Sequence, residues 1–144
     1  MEPFRLLLVD DQMTEILLVE AMLDGGPDQV DLVGVCSGDA ALDYLDSSLV
    51  LPHLILLDLN LAGMCGLAVL RAVRASERLR DLPVVMRSGS QDPADWEAAV
   101  AAGASGYLVK PVLFDALEAQ VQKLLADWQH LRRRSPQAGL ATAG

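Results

Sequence analysis

Lysine is nearly missing from these 144 residues, with two against nine arginines. Cysteine is as sparse. Cys36 and Cys65 sit in no metal-binding spacing and make no disulfide framework, so reduced thiols are expected. Apolar runs stop at about eight residues, far short of the roughly 20 that a membrane-spanning helix needs. The opening MEPFRLLLVDD places an acid before a short apolar run and acids straight after it. That is the wrong charge order and length for a secretory signal, and a cytoplasmic protein is expected. Positive charge is also short. The net charge of −9 argues against a nucleic-acid-binding domain, which needs a basic face. Residues 132–144 hold three arginines and no acid, so the rest of the chain carries −12. What is abundant is apolar: 52 % of the chain, which excludes intrinsic disorder. The length suits one domain with its own core.

Five short runs rich in Leu, Val and Ile fall at 4–9, 30–35, 53–57, 83–86 and 106–109. Continuous apolar runs of this kind suit strands covered by helices on both faces. Helical patterns lie between them, at 14–24, 39–47, 66–77, 94–102 and 113–132. The alternation predicts an α/β fold, a doubly wound parallel sheet with right-handed crossovers. Gly25-Gly26-Pro27 ends the first helix and Ser37-Gly38-Asp39 opens the second. Asp92 is placed to cap the fourth helix, with Pro93 as its first residue.

Ligands of such sheets sit beyond the carboxyl ends of the strands. Strand one ends in Asp10-Asp11, strand three in Asp58 followed by Leu59 and Asn60, strand four in Ser88-Gly89-Ser90, and strand five in Lys110-Pro111. Any one of these acids alone would read as a helix cap. Together they bring three carboxylates, a hydroxyl and an ammonium to one rim. Clustered carboxylates do not all stay ionised without a counter-charge, and an oxygen-rich site suits a hard cation such as Mg²⁺. A carboxylate beside Mg²⁺ can attack phosphorus and form an aspartyl phosphate. A strand-end lysine in a chain with two lysines is harder to read as routine solvation.

LLLVDD (6–11), LILLDLNLAGMCGL (54–67), PVVMRSGS (83–90) and GASGYLVKP (103–111), in this order and spacing, resemble the receiver domains of bacterial response regulators. The likeness covers about residues 4–126. It implies a flavodoxin-like (βα)5 fold with strand order 2-1-3-4-5 and a receiver domain, here placed over 1–131; the Ala- and Gly-rich composition beyond it predicts a flexible tail over 132–144. It also implies a two-component signalling protein, with Mg²⁺-dependent phosphoryl transfer onto Asp58 from a sensor histidine kinase or a phosphorelay protein. Such a chain is a phosphoacceptor and no ordinary enzyme. By the same likeness Asp11 binds Mg²⁺ directly, Asp10 chiefly through water, and the Asn60 carbonyl adds a ligand. Ser88 matches the switch hydroxyl, Lys110 the lysine that pairs with the phosphoryl group, and Tyr107 the aromatic that turns on activation. Lys110–Pro111 matches the family's cis peptide. The LDLNL run and long last helix are similar to receivers that serve phytochrome-type kinases.

Some positions depart from that pattern. Ala62 stands where proline is usual, which loosens the loop. Cys65 replaces an aspartate and caps the third helix less well. Arg87 replaces an aliphatic residue and is expected to reach solvent over the rim; the other reading pairs it with an acid. In the last helix Phe114, Leu117, Val121, Leu124, Trp128 and Leu131 form a heptad-like stripe. Its first half packs on the sheet, while Trp128 and Leu131 overhang and offer a homodimer contact. With 13 residues after position 131, action on a downstream protein target in trans is expected. His53, opening a strand, is expected to be exposed.

Two rivals stand beside this reading. A degenerate receiver would act as a phosphorylation-independent interaction module, but the phosphoacceptor set is intact. A phosphohydrolase working through an aspartyl phosphate usually carries a second acid close after the nucleophile, whereas Asn60 occupies that place.

Overall fold

The computed structural model describes residues 2–24, 26, 29–111 and 113–131. In chain order the elements are β1 (Phe4–Val9), α1 (Met13–Asp24), β2 (Val30–Val35), α2 (Gly38–Ser47), β3 (Leu54–Asp58), α3 (Gly66–Ala75), β4 (Val84–Ser88), α4 (Pro93–Ala101), β5 (Gly106–Val109) and α5 (Phe114–Trp128). The strands form one parallel sheet ordered β2-β1-β3-β4-β5. This is the order that the resemblance to receiver domains implies, within the doubly wound class expected from the alternation of elements.

Side chains alternate across a strand, and here each set meets its own helical layer. Leu7, Val9, Ile55, Leu57, Val84 and Met86 pack with Ala41 and Leu45 of α2, Val69, Leu70 and Val73 of α3, and Ala99 of α4. Phe4, Leu6, Leu8, Leu54, Leu56 and Val85 pack with Ile16 and Val19 of α1 and with Leu117, Val121, Leu124 and Leu125 of α5. The helix starts are set locally. Ser37 Oγ accepts from the Ala40 amide at 3.0 Å and Asp92 Oδ1 from the Ala94 amide at 3.0 Å, while Cys65 caps α3 with no side-chain bond.

β3 and β4 end in Asp58 and Ser88, so these polar residues are the last members of their strands. Several other details correct the sequence reading. His53 is buried: its Nδ1 accepts the Arg5 amide at 2.8 Å and its ring stacks on Phe4 with centroids 5.3 Å apart. The Lys110–Pro111 bond is trans, the ordinary state even for prolyl bonds. Trp128 and Leu131 do not overhang; both are half-buried against the α1–α5 layer, which extends to Val30 and Leu32. Phe114's side chain and the 132–144 tail with its three arginines lie outside the described residues. No helix among the described residues is long and apolar enough to cross a membrane.

Candidate functional site

The strand ends carry the site. Asp58 lies beside Arg87 in the β3–β4 register and Ser88 beside Val109 in the β4–β5 register. Ladder bonds continue past the strands: the Asp10 amide donates to Val35 O at 3.1 Å, Leu59 to Arg87 O at 2.9 Å and Lys110 to Ser88 O at 2.7 Å. The backbone positions of these groups are therefore fixed by the sheet itself.

Asp10, Asp11 and Asp58 each offer a carboxylate oxygen, and these oxygens all lie within 4.8 Å of one another. Asp10 and Asp58 are buried and Asp11 is exposed, so the cluster opens to solvent on one side. The set is all oxygen, and the spacing is what one hard divalent ion bridging three carboxylates needs. The residues fit Mg²⁺. Asn60 sits exposed on the rim, and its amide donates to Asp58 Oδ1 at 3.0 Å.

Lys110 crosses from β5 to donate to Asp58 Oδ2 at 2.7 Å and to Asp10 Oδ2 at 3.2 Å. Burial lowers the affinity of its ammonium for the proton, but Asp58 and Asp10 outweigh that and raise its pKa. The Asp58 carboxyl is also held above the ordinary carboxyl range. Burial is the main cause, opposed by Lys110 and the Asn60 amide and reinforced by the charge of Asp10. An acid in that state gains from any cation placed against it.

Ser88 is fully buried, and its Oγ accepts the Ser90 amide at 3.0 Å. The same Ser90 offers its carbonyl to the Tyr107 hydroxyl at 3.2 Å. One residue of the β4–α4 loop thus ties Ser88 to Tyr107, which lies half-buried against the layer of α2, α3 and α4.

Arg87 does not reach solvent. It shares a sheet face with Val85, under α1, and only 2 % of it is exposed. Its guanidinium donates to Asp10 Oδ2 at 3.3 Å and to Glu15 Oε2 of α1 at 3.2 Å. A charge enclosed by that layer has to find acids within it, and the pairing alternative holds. The Ala62 position is also informative. Its amide donates to Asp11 Oδ2 at 3.2 Å, a bond that a proline, with no N–H, cannot make. Glu15 and Gly66 were not legible as site residues. Gly66 opens α3 against the carbonyl of Asp58, where a Cβ would stand 2.2 Å from that oxygen.

The model of the response regulator receiver domain matches residues 6–122. The chemotaxis protein CheY of Pseudomonas aeruginosa is 34 % identical over 121 residues, covering 83 % of this chain and 94 % of CheY. Two solved structures have nearly the same architecture. The phosphorylated cyanobacterial phytochrome response regulator RcpA superposes with a TM-score of 0.82 at 27 % identity, covering 88 % of this chain and 94 % of RcpA. The Mn²⁺-bound response regulator Rcp1 gives 0.79 at 30 % identity with the same coverage.

Proposed function

This chain belongs to the response regulator receiver domain family, and on that premise we propose that Asp58 accepts a phosphoryl group from a sensor histidine kinase or a histidine phosphotransfer protein. The observation that carries this reading is the meeting of Asp58 with Lys110 at 2.7 Å beside the carboxylates of Asp10 and Asp11. A receiver is a signalling domain, so the reaction serves to switch a surface.

An oxygen of the Asp58 carboxylate attacks the phosphorus of a phosphohistidine. The new P–O bond forms as the P–N bond breaks, and the electron pair leaves with the imidazole nitrogen, which takes up a proton. Lys110 turns its ammonium from the carboxylate toward a phosphoryl oxygen. Asp10, Asp11, Asp58 and the Asn60 carbonyl would hold Mg²⁺, which supplies positive charge against the phosphoryl oxygens when bound. The states named for RcpA and Rcp1, phosphorylated and Mn²⁺-bound, support assigning both chemistries to this rim. Phytochrome-type kinases are the first donors to test, in the cytoplasm where such kinases present their phosphohistidine.

Ser88 transmits the change. Moving its Oγ toward the phosphoryl group takes the acceptor from the Ser90 amide, and the Ser90 peptide then re-orients. The Tyr107 hydroxyl holds the other side of that residue, so the surface of α4, β5 and α5 responds. A homodimer through α5 would have to use what Trp128 and Leu131 leave uncovered. A monomer by sedimentation at high micromolar concentration removes it.

Intact mass after incubation with Mg²⁺ and a small acyl phosphate tests the reading. A gain of one phosphoryl group (roughly 80 Da) is expected in the wild type only. Asp58→Asn and a Mg²⁺-free sample stay unmodified. No gain in a folded, Mg²⁺-binding protein, with the cognate class of kinase also failing, favours the phosphorylation-independent module.

A further inference from the structure

We propose that Arg87 is a built-in counter-cation for Asp10 that weakens this chain's grip on its divalent metal and holds the metal-free site together. The inference rests on the Mg²⁺ reading of the Asp10, Asp11 and Asp58 cluster and extends it to two residues outside the phosphoacceptor set. Arg87 and Asp10 are both buried, with 3 % and 0 % of their side chains exposed, so water screens the pair little. Asp10 has no unused face on that side. Its Oδ1 takes the Gln12 amide at 2.9 Å, and its Oδ2 takes both Arg87 and Lys110. One carboxylate of the proposed metal cluster thus carries two cationic partners already.

Glu15 sets how strongly Arg87 acts. Its carboxylate holds the other arm of the guanidinium at 3.2 Å and is 27 % exposed, at the open end of the network. The chain of charges therefore runs Glu15, Arg87, Asp10, Lys110, Asp58, alternating in sign from α1 across the sheet to β5. Removing the second member strips a positive charge from beside the metal cluster. Removing the first leaves that positive charge without its outer partner. The two changes act on metal affinity in opposite directions, which a loss of packing alone does not produce. An aliphatic residue at position 87 would leave Asp10 to Lys110 and the metal.

Isothermal titration with MgCl₂, paired with melting curves with and without Mg²⁺, tests this without any phosphoryl transfer. Arg87→Met is expected to tighten Mg²⁺ binding roughly tenfold or more, the scale for a unit charge removed a few ångströms from a partly buried site. It also melts lower without Mg²⁺ and gains more from adding it than the wild type does. Arg87→Lys, which keeps the charge, returns the affinity toward the wild-type value. Glu15→Gln weakens binding by about threefold or more. Where Arg87→Met does not fold without metal, the Glu15→Gln and Arg87→Lys pair decides.

Equal or weaker Mg²⁺ binding in Arg87→Met overturns the inference, as does tightening that Arg87→Lys shares or an unchanged affinity in Glu15→Gln. In those cases the wild type still binds Mg²⁺, and the proposed function stands. Failure of every variant and the wild type to bind Mg²⁺ at tens of millimolar overturns the inference and the Mg²⁺ reading together. Binding by Arg87→Met where the wild type shows none supports both.

Discussion

Replacing Gly66 by alanine tests how closely the phosphoacceptor strand and α3 are packed. A Cβ there would stand 2.2 Å from the Asp58 carbonyl oxygen, 2.9 Å from Leu59 Cα and 3.0 Å from the Asp58 carbonyl carbon. All three neighbours are backbone, so no side chain can rotate aside, and the Gly66 amide is itself tied to Leu59 O at 2.9 Å. Relief needs about 1 Å of movement of the first turn of α3 or of the end of β3. Overpacking of this kind costs about 1–3 kcal/mol, and backbone partners place it at the upper end. The better helix propensity of alanine returns up to about 1 kcal/mol. The net expectation is a loss of about 2 kcal/mol, read as a lower midpoint in urea with the slope unchanged. Gly89→Ala is the control, since nothing lies within 4 Å of its Cβ position, and it changes stability by about 0.5 kcal/mol or less. Because the clash displaces Asp58, Gly66→Ala also slows phosphorylation. A Gly66→Ala protein as stable as the wild type, or more so, refutes the close-packing argument.

Three further predictions follow from particular side chains. Burial and Asp10 raise the Asp58 carboxyl above its ordinary 3.8. The folded chain therefore binds this proton more tightly than the unfolded one, and stability falls as pH rises from about 3.8 through the folded value. Without metal, Asp58→Asn should match the wild type at low pH and melt higher than it at neutral pH; Mg²⁺ should close the gap in calorimetric scans. Arg74 of α3 donates to the carbonyls of Gly103, Arg80 and Leu82 at 2.9, 3.0 and 2.7 Å. One ammonium cannot replace that planar fork, so Arg74→Lys should lose about 1–3 kcal/mol in urea melts. Ser88→Ala should still be phosphorylated at Asp58 but leave the Ser90 amide resonance unmoved on phosphorylation, where the wild type shifts it; an equal shift in both contradicts the Ser88–Ser90–Tyr107 coupling.

The parallel α/β architecture and the strand-end placement of Asp10, Asp58, Ser88 and Lys110 were legible because each rests on local pattern, whereas the strand order came from the resemblance to receiver domains. Buried strands are apolar on both faces, and ligating residues stand where those runs stop. Arg87 was flagged but turned the wrong way. Its direction depends on strand β4 continuing through Ser88, which puts position 87 on the face of Val85 under α1. Glu15 carried no signal of its own, since an acid in the first turn of a helix is ordinary. His53 and Trp128 were misplaced for a similar reason. What covers them comes from Phe4 and Arg5 in one case and from the α1–α5 layer in the other, partners distant in sequence. Gly66 looked like a helix start, and only the approach of the Asp58 carbonyl shows why the position has no side chain.

The central claim is that Asp58 is the residue that carries the phosphoryl group. Borohydride reduction of protein treated with acyl phosphate and Mg²⁺, followed by peptide mass mapping, locates the modified carboxyl directly. The account predicts homoserine at position 58 and unmodified aspartate at positions 10 and 11. Reduction at Asp10 or Asp11 with Asp58 intact, or a phosphoryl group retained in Asp58→Asn, contradicts it.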